Sequence, residues 1–333
     1  MKNVASSWLA RLTGLIATPL TPAHYLGLLR PLAVNHTARV EAVTRETADV
    51  TTLTLRPGRG WQGHQAGQHV RVALAIDGRL CARMYSISSS PDRADGLFTI
   101  TVKAQGRVSN ALCASQVGSY LTIGVPEGDF VLPAGKRVLF VTGGSGITPV
   151  ISMLRTYAAR EMPDVVHLHF ARGADDVIFA SDLFDLAANH PSYRSILVTD
   201  RRRFSPDMVP DWQTREVLAC GPTSLLEAVA PLNPRVERFA AVLAPPSDAS
   251  GGHVRFGTSR VSAISDGRTP LLRIAESAGV AAPHGCRMGI CHTCDATLTK
   301  GCVRDLRTGD RIDAGARVQI CVCAAAGDVE LAL

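Results

Sequence analysis

Cysteines near the C-terminus are spaced so that they can hold iron. The chain reads Cys286-Arg-Met-Gly-Ile-Cys291-His-Thr-Cys294, and a pair, Cys321 and Cys323, follows. C-x4-C-x2-C with a distant fourth cysteine is the plant-type ligand spacing of a [2Fe–2S] cluster. Zinc also takes four thiolates in a tetrahedron, but zinc ribbons use paired knuckles rather than one tight three-cysteine loop. A [2Fe–2S] cluster is therefore expected on Cys286, Cys291, Cys294 and one cysteine of the later pair. Such a cluster moves electrons singly, so the rest of the chain must contain their source. His284, just before the loop, is expected to be structural.

Three further motifs can carry that chemistry. Arg83-Met-Tyr85-Ser86 is followed by Gly106-Arg-Val108-Ser109-Asn110. A glycine before a helix start lets backbone N–H groups approach an anion, and helix N-termini bind phosphates. Arginine adds a fork of donors, and a tyrosine ring can stack on a flat heterocycle. Together these residues suit a flavin nucleotide. Thr142-Gly143-Gly144-Ser-Gly146-Ile-Thr148-Pro149 is a strand-to-helix turn that can meet a diphosphate. It lacks the Lys-Ser/Thr of a P-loop, which disfavours nucleotide hydrolysis. Cys220-Gly221-Pro222 ends a predicted strand, where open α/β sheets bind cofactors. No acid–base dyad stands out.

The surrounding elements sort into three textures. Residues 36–134 alternate in the β manner, as in Thr51–Leu55 and Phe98–Val102, with turns at Arg56-Pro-Gly58 and Asp77-Gly78. That pattern predicts an antiparallel β-barrel. Residues 135–243 alternate short apolar strands with helical segments: Val138–Thr142, Val165–Phe170, Ser195–Val198 and Glu216–Cys220 read as strands, and a helix begins near Pro149. An α/β domain with a parallel sheet is predicted. Residues 244–252, Ala-Pro-Pro-Ser-Asp-Ala-Ser-Gly-Gly, are composed like a linker. Residues 253–333 read as a hairpin around Phe256–Ile264, a helix near Pro270–Ala278, the cysteine loop and closing strands.

Bulk composition narrows the function. The chain has 333 residues, enough for two or three domains. Aromatic residues make up 5%, too few for nucleic-acid stacking platforms, so no nucleic-acid partner is expected. The formal charge of +6 is scattered and suits solubility. Nine cysteines, of which Cys81, Cys113, Cys220 and Cys302 are scattered without framework spacing, imply a reducing compartment, hence a cytoplasmic protein. Residues 1–35 are apolar with interruptions at Arg11, Pro19, Pro22 and Pro31, so they read as an arm rather than a membrane span. That arm is a candidate for peripheral contact with the inner face of the membrane. A monomer is expected.

These motifs, in this order and spacing, resemble the ferredoxin–NADP reductase superfamily over residues 36–243. Residues 253–333 resemble a plant-type ferredoxin of β-grasp fold. The order flavin, pyridine nucleotide, [2Fe–2S] is similar to iron–sulfur flavoprotein reductases of oxygenases and desaturases. The N-terminal arm and Asp200–Trp212 most resemble reductases of membrane acyl-CoA desaturases. The resemblance implies FAD rather than FMN. Arg83 would contact its phosphates, Tyr85 its ring system and Ser86 the region of N5, while Gly106, Val108 and Ser109 would hold the pyrophosphate. Gly143, Gly144, Gly146 and Thr148, with Gly221 and Pro222, would receive the nicotinamide dinucleotide, with Cys220 near the nicotinamide. Ser86 and Cys220 would thus flank hydride transfer. Arg172, Arg201 and Arg202 would read a 2′-phosphate, which favours NADPH; Asp200 works against that site, and NADH is the alternative. Aligning Cys-x6-Asp-Val with the ferredoxin ending gives Cys321 as the fourth ligand. His292 stands where ferredoxins usually carry a small residue.

The implied activity is an NAD(P)H-dependent oxidoreductase that passes electrons through FAD and [2Fe–2S] to an oxygen-activating redox partner, foremost a membrane-bound di-iron desaturase. The alternatives are a Rieske-type or cytochrome P450 oxygenase partner, or a redox-sensing module. Intact flavin and nicotinamide motifs argue against the sensor, which has no use for a hydride site.

Overall fold

The computed structural model describes residues 37–333, apart from residues 77, 240–242, 245–247, 286, 290 and 291 and the side chain of Arg79. The N-terminal arm, Cys286 and Cys291 lie outside the described residues. No helix among the described residues is long and apolar enough to cross a membrane.

Alternating apolar residues build the first unit. Strands β1 (Thr37–Thr47), β2 (Val50–Pro57), β3 (His69–Ile76), β4 (Arg79–Ser86), β5 (Phe98–Lys103) and β6 (Tyr120–Glu127) form an antiparallel sheet in the order β4-β3-β6-β1-β2-β5. A bridge between Ile87 and Ile100 ties the end of β4 to β5 and draws the two edges together. Val40, Leu53, Leu55, Val70, Val72 and Ile100 point into one core. Full burial of such side chains stabilises by about 1.5–3 kcal/mol each. Helix α1 (Arg107–Cys113) adds Val108 and Leu112 to the same core.

The second unit is a parallel sheet. It contains β7 (Arg137–Gly143), α2 (Ile147–Ala159), β8 (Asp164–Phe170), α3 (Ala180–Asn189), β9 (Tyr193–Val198), β10 (Glu216–Cys220), α4 (Thr223–Val229) and β11 (Arg235–Glu237), in the strand order β11-β10-β7-β8-β9. Every residue of β7 from Val138 to Gly143 is buried, as a strand covered on both faces must be. The strand order reverses beside β7, which makes the space beyond β7 and β10 the natural ligand crevice.

The third unit holds β12 (Gly252–Phe256), β13 (Val261–Ser265), α5 (Leu271–Ser277), β14 (Asp295–Lys300), β15 (Cys302–Asp305), β16 (Arg311–Asp313), β17 (Arg317–Gln319), β18 (Cys323–Ala325) and β19 (Val329–Leu331). The main sheet runs β13-β12-β19-β14-β17, with β12 and β19 parallel, and a small sheet runs β16-β15-β18. Leu271, Leu272, Ile274 and Ala275 of α5 join Val254, Phe256 and Leu298 in its core.

The first two units share one continuous core. Val50, Ala66 and Phe130 of the barrel side pack with Phe140, Ile151 and Met153. Polar bonds fix the same face. Ser152 Oγ donates to Ser89 O at 2.5 Å, Arg155 Nη1 to Ser88 O at 2.7 Å and Thr156 Oγ1 to Ser90 Oγ at 3.1 Å. The described part of segment 244–252 belongs to the third unit instead of standing free as its composition suggested. Ala244 N donates to Leu306 O at 2.8 Å, Asp248 pairs with Arg304 at 3.7 Å and Gly252 opens β12.

Inside the parallel sheet, Thr142 Oγ1 lies 2.8 Å from both His167 Nε2 and His169 Nδ1, and Tyr193 Oη lies 3.0 Å from His167 Nδ1. Burial holds both imidazoles neutral, with His169 lowered from 6.5 to about 4 and His167 also well below its usual value. A depressed histidine pKa contributes stability above the unfolded value that is lost as pH falls toward the folded one. Urea unfolding at pH 7 and pH 5 should therefore show a loss of about 2 kcal/mol from His169 alone. His169→Asn should flatten that loss; an equal pH slope in the variant would refute the assignment.

Candidate functional site

The glycine turn after β7 is forced by what it must approach. Gly144 has φ +52°, in the left-handed region. A Cβ at Gly146 would lie 2.2 Å from Cys220 O, and one at Gly143 would lie 2.9 Å from Leu225 Cδ2. Side chains there would push the turn off the end of β10. The G-G-S-G turn and Cys220-Gly221-Pro222 thus form one floor. Above it opens a cleft of about 810 Å³ at the carboxyl ends of the strands, a size suited to a bound cofactor.

Not every expected residue faces that cleft. Gly143, Gly144, Gly146, Gly221 and Pro222 line it. Cys220 is fully buried behind it, and that burial pushes its thiol well above the ordinary range. Thr148 Oγ1 donates to Ser145 O at 2.9 Å, so the hydroxyl pins the turn. Arg172, Arg201 and Arg202 line the cleft, together with Arg203 and Arg238. Arg172 pairs with Asp176 at 2.8 Å and Asp49 at 3.4 Å, and Arg202 pairs with Asp200 at 2.8 Å. Exposed pairs of this kind contribute little, about 0–1 kcal/mol, and exchange readily for a phosphate. Arg201, Arg203 and Arg238 make no ion pair among the described residues.

The barrel carries the residues expected at the flavin, which lie outside the lining of that cleft. Ser86 ends β4, is buried, and its Oγ has no partner among the described residues. Tyr85 is half-buried against the barrel core, and burial raises its phenol far above the usual value. Arg83 Nη1 donates to Ala82 O and to Gly285 O, both at 2.7 Å. Gly285 directly precedes Cys286, so Arg83 joins the barrel to the cysteine loop. Gly106 caps α1, and a Cβ there would meet nothing within 4 Å, so the helix start faces open space. The side chains that follow serve the turn. Ser109 Oγ accepts from Gln105 N and Gly106 N at 3.0 Å each, and Val108 is buried in the core. Lys103 and Gln105, on the approach to α1, line the same cleft as the glycine turn. An orphaned buried hydroxyl, a half-buried aromatic, an arginine and an open glycine helix start are a donor set that fits a flavin nucleotide.

The described part of the cysteine loop is held from outside. Arg307 donates to Gly289 O at 2.7 Å and to Gln319 Oε1 at 3.0 Å, and pairs with Asp305 at 2.6 Å. The neighbouring Cys321 thiol leads in lowering Cys294 to about 7. Burial pushes Cys323 up to about 12. Two adjacent buried thiols, one readily ionised, suit a shared iron–sulfur ligand set. His292 adopts φ +53°, is exposed, and lies 3.2 Å from Asp295, so its ring does not crowd the loop. His284 Nδ1 sits 3.1 Å from Ala282 O, consistent with a structural role.

Several residues of this region carried no sequence signal. Arg238 and Phe239 line the cleft after β11, a strand of three residues too short to show periodicity. Arg307, which staples the cysteine loop, had no motif to mark it.

Comparison with known proteins agrees with this anatomy. Family models for an oxidoreductase FAD-binding domain, an oxidoreductase NAD-binding domain and a 2Fe-2S iron-sulfur cluster binding domain match residues 37–132, 140–230 and 256–326. The chain is 43% identical to an NADPH oxidoreductase of Mycobacterium tuberculosis (strain ATCC 25618 / H37Rv), over 97% of this chain and 91% of that protein. It is 32% identical to the glycine betaine monooxygenase reductase subunit of Chromohalobacter salexigens, over 80% of this chain and 86% of the relative. Phthalate dioxygenase reductase shares the fold, with a TM-score of 0.61 at 22% identity over 89% of this chain and 97% of that one. An intact type IV self-sufficient cytochrome P450 monooxygenase matches with a TM-score of 0.58 at 27% identity, over 90% of this chain and 41% of the other.

The contrast between Cys321 and Cys323 is testable. In purified protein, Cys323→Ala should keep the visible absorption and EPR signal of the cluster, and Cys321→Ala should lose most of both. The reverse pattern would exchange their roles.

Proposed function

This chain belongs to the ferredoxin–NADP reductase superfamily, in the branch with a C-terminal plant-type [2Fe–2S] domain, and from that premise we propose that it feeds electrons from NADPH to the iron-containing component of an oxygenase. It is an NAD(P)H-dependent oxidoreductase with FAD- and [2Fe–2S]-binding domains. When bound, FAD accepts the two electrons of a hydride and releases them singly, and the cluster carries single electrons outward.

One observation carries the proposal. A single cleft is lined by the glycine turn, by Gly221 and Pro222 after β10 and by the barrel's Lys103 and Gln105, while Arg83 on the same barrel binds Gly285 beside the cysteine loop. Donor site, flavin strand and electron outlet therefore adjoin one another. In this reading Gly143, Gly144, Gly146, Gly221 and Pro222 admit the dinucleotide close to the backbone. Arg83 and the backbone at Gly106 hold the flavin diphosphate. Ser109 and Thr148 keep the two turns in shape. Tyr85 covers the ring system, Ser86 supplies a hydroxyl in need of a partner, and Cys220 backs the nicotinamide position with a neutral thiol. Hydride transfer needs the two rings about 3–3.5 Å apart, and the shared core of the first two units supplies that rigidity. Cys286, Cys291, Cys294 and Cys321 are the proposed cluster ligands.

The oxygenase acceptor follows relatives described as monooxygenase reductase subunits. A membrane acyl-CoA desaturase was the leading expectation from the sequence. Its basis is narrower once the structure is considered. Residues 1–35 lie outside the described residues. Within Asp200–Trp212, Arg201–Phe204 line the nucleotide cleft, and Met208, Val209 and Trp212 pack on the parallel sheet. That stretch has work within its own domain and does not by itself mark a partner. Reconstitution decides between them. NADPH-dependent reduction of a partner oxygenase encoded nearby, with no turnover of a desaturase in membranes, supports the proposal; the opposite result replaces the acceptor.

Cofactor choice gives a sharper test. In the double variant Arg201→Ala/Arg203→Ala, KM for NADPH should rise by about tenfold or more, from losing two charge-assisted contacts to a 2′-phosphate. KM for NADH should stay within about twofold. Equal effects on both nucleotides in steady-state assays would remove NADPH from the proposal.

A further inference from the structure

One partly buried ion pair has no part in the scheme above. His69 Nδ1 lies 3.3 Å from Glu237 Oε1, with the side chains 16% and 13% exposed. The partners come from different units. His69 opens β3 of the barrel, and Glu237 ends β11, the edge strand of the parallel sheet.

Their positions in the two ladders give the pair its meaning. His69 stands directly opposite Ser86 in the β3–β4 register. Glu237 stands beside Cys220 in the β10–β11 register. Residues paired across neighbouring strands project to the same face of a sheet. The sequence Ser86, His69, Glu237, Cys220 thus joins the barrel to the parallel sheet, with backbone ladders at either end and one side-chain bond in the middle. Two further features hold the imidazole there. Gly128, at φ +109°, leaves it a seat, since a Cβ at that position would lie 3.0 Å from both His69 Cε1 and Nδ1. Glu127 and Asp129, on either side of that glycine, join Glu237 in placing negative charge around the ring.

We propose that His69 is a positioning residue for hydride transfer: as an imidazolium it ties Glu237, and through β11 both Cys220 and Phe239, to β3, the neighbour of the strand that carries Ser86. The proposal rests on the assignment of hydride transfer to the junction of the strands that end at Ser86 and Cys220. Its pH dependence has a definite sign. The bond to Glu237 leads in raising the His69 pKa above its ordinary 6.5. A raised histidine pKa means that the tie is complete below the unfolded value and is lost as pH rises through the folded one.

The test uses the full-length holoprotein. Anaerobic stopped-flow reduction of the flavin by NADPH is followed from about pH 6 to about pH 9, a range that spans imidazole ionisation. The wild-type rate should fall as pH rises through the folded pKa. His69→Gln should be slow throughout, on the order of tenfold below the low-pH wild-type rate, with KM within about twofold and the flavin absorption unchanged. His69→Lys should restore the rate and abolish the pH step. His69→Gln/Glu237→Gln should be no slower than His69→Gln alone, because both changes break the same bond. A readout independent of turnover is the NMR titration of the His69 imidazole in oxidised holoprotein, which should be raised in wild type and return toward 6.5 in Glu237→Gln. A His69→Gln protein with wild-type rate and pH step, or an imidazole titration indifferent to Glu237, overturns this proposal alone. A wild-type flavin that accepts no hydride from either nucleotide overturns the assigned reaction, and the positioning role with it.

Discussion

The contact on which this molecule depends is the face between the barrel and the parallel sheet. Hydride transfer tolerates little error in ring separation, so the two nucleotide sites cannot sit on independently moving bodies. The chain meets that requirement with a shared apolar core around Phe130, Phe140 and Met153 and with side-chain bonds from α2 to the carbonyls of Ser88 and Ser89. These polar groups are buried, and each would be costly to leave unpaired. The interface is therefore fixed in one register rather than merely sticky. The strand ends that reach it, Ser86 on one side and Cys220 on the other, inherit that register.

Glycine placement follows from the same crowding. At Gly146 the turn after β7 lies against the carbonyl of Cys220, and at Gly143 against the α4 side chain Leu225. The close approach of two backbones leaves no room for side chains at these two positions on the cleft floor. Around this bare floor the cleft is rimmed with arginine. Two of those arginines, Arg172 and Arg202, rest in exposed ion pairs that an incoming phosphate can replace at small cost. The cleft is thus shaped and cationic, which suits the anionic dinucleotide proposed for it.

The sequence made the elements and motifs legible, because local signals govern them. Period-two alternation marked β2 and β5, an unbroken apolar run marked β7, and cysteine spacing marked the cluster loop. Predicted and observed limits agree for Glu216–Cys220, while α2 begins two residues before Pro149, at Ile147. What was not legible is where side chains spend their hydrogen bonds. Ser109 and Thr148 belong to the motifs, yet their hydroxyls are occupied by neighbouring backbone. Arg83 reaches Gly285, and His69 reaches Glu237, in both cases across most of the chain. No window of sequence brings those partners together; only the packed fold does. The linker misled for a related reason. Proline, serine and glycine describe a flexible tether in isolation, but Ala244 and Asp248 find partners on the third unit.

Arg83 shows how the third unit can be coupled to the first without a large interface. Its guanidinium is half-buried, and burial works against its charge, with the nearby Arg287 adding to that cost. A guanidinium so placed gains from every acceptor within reach. Nη1 is taken by the carbonyls of Ala82 and Gly285, while Nε and Nη2 make no bond among the described residues. The planar fork can therefore face a diphosphate along one edge while keeping Gly285 on another. An anion on the free edge would offset the cost of burying the charge and hold the guanidinium in place for the carbonyl beside Cys286. On this argument flavin binding and docking of the electron outlet reinforce each other through a single side chain. The outlet would be held most firmly when there is a flavin to discharge into it.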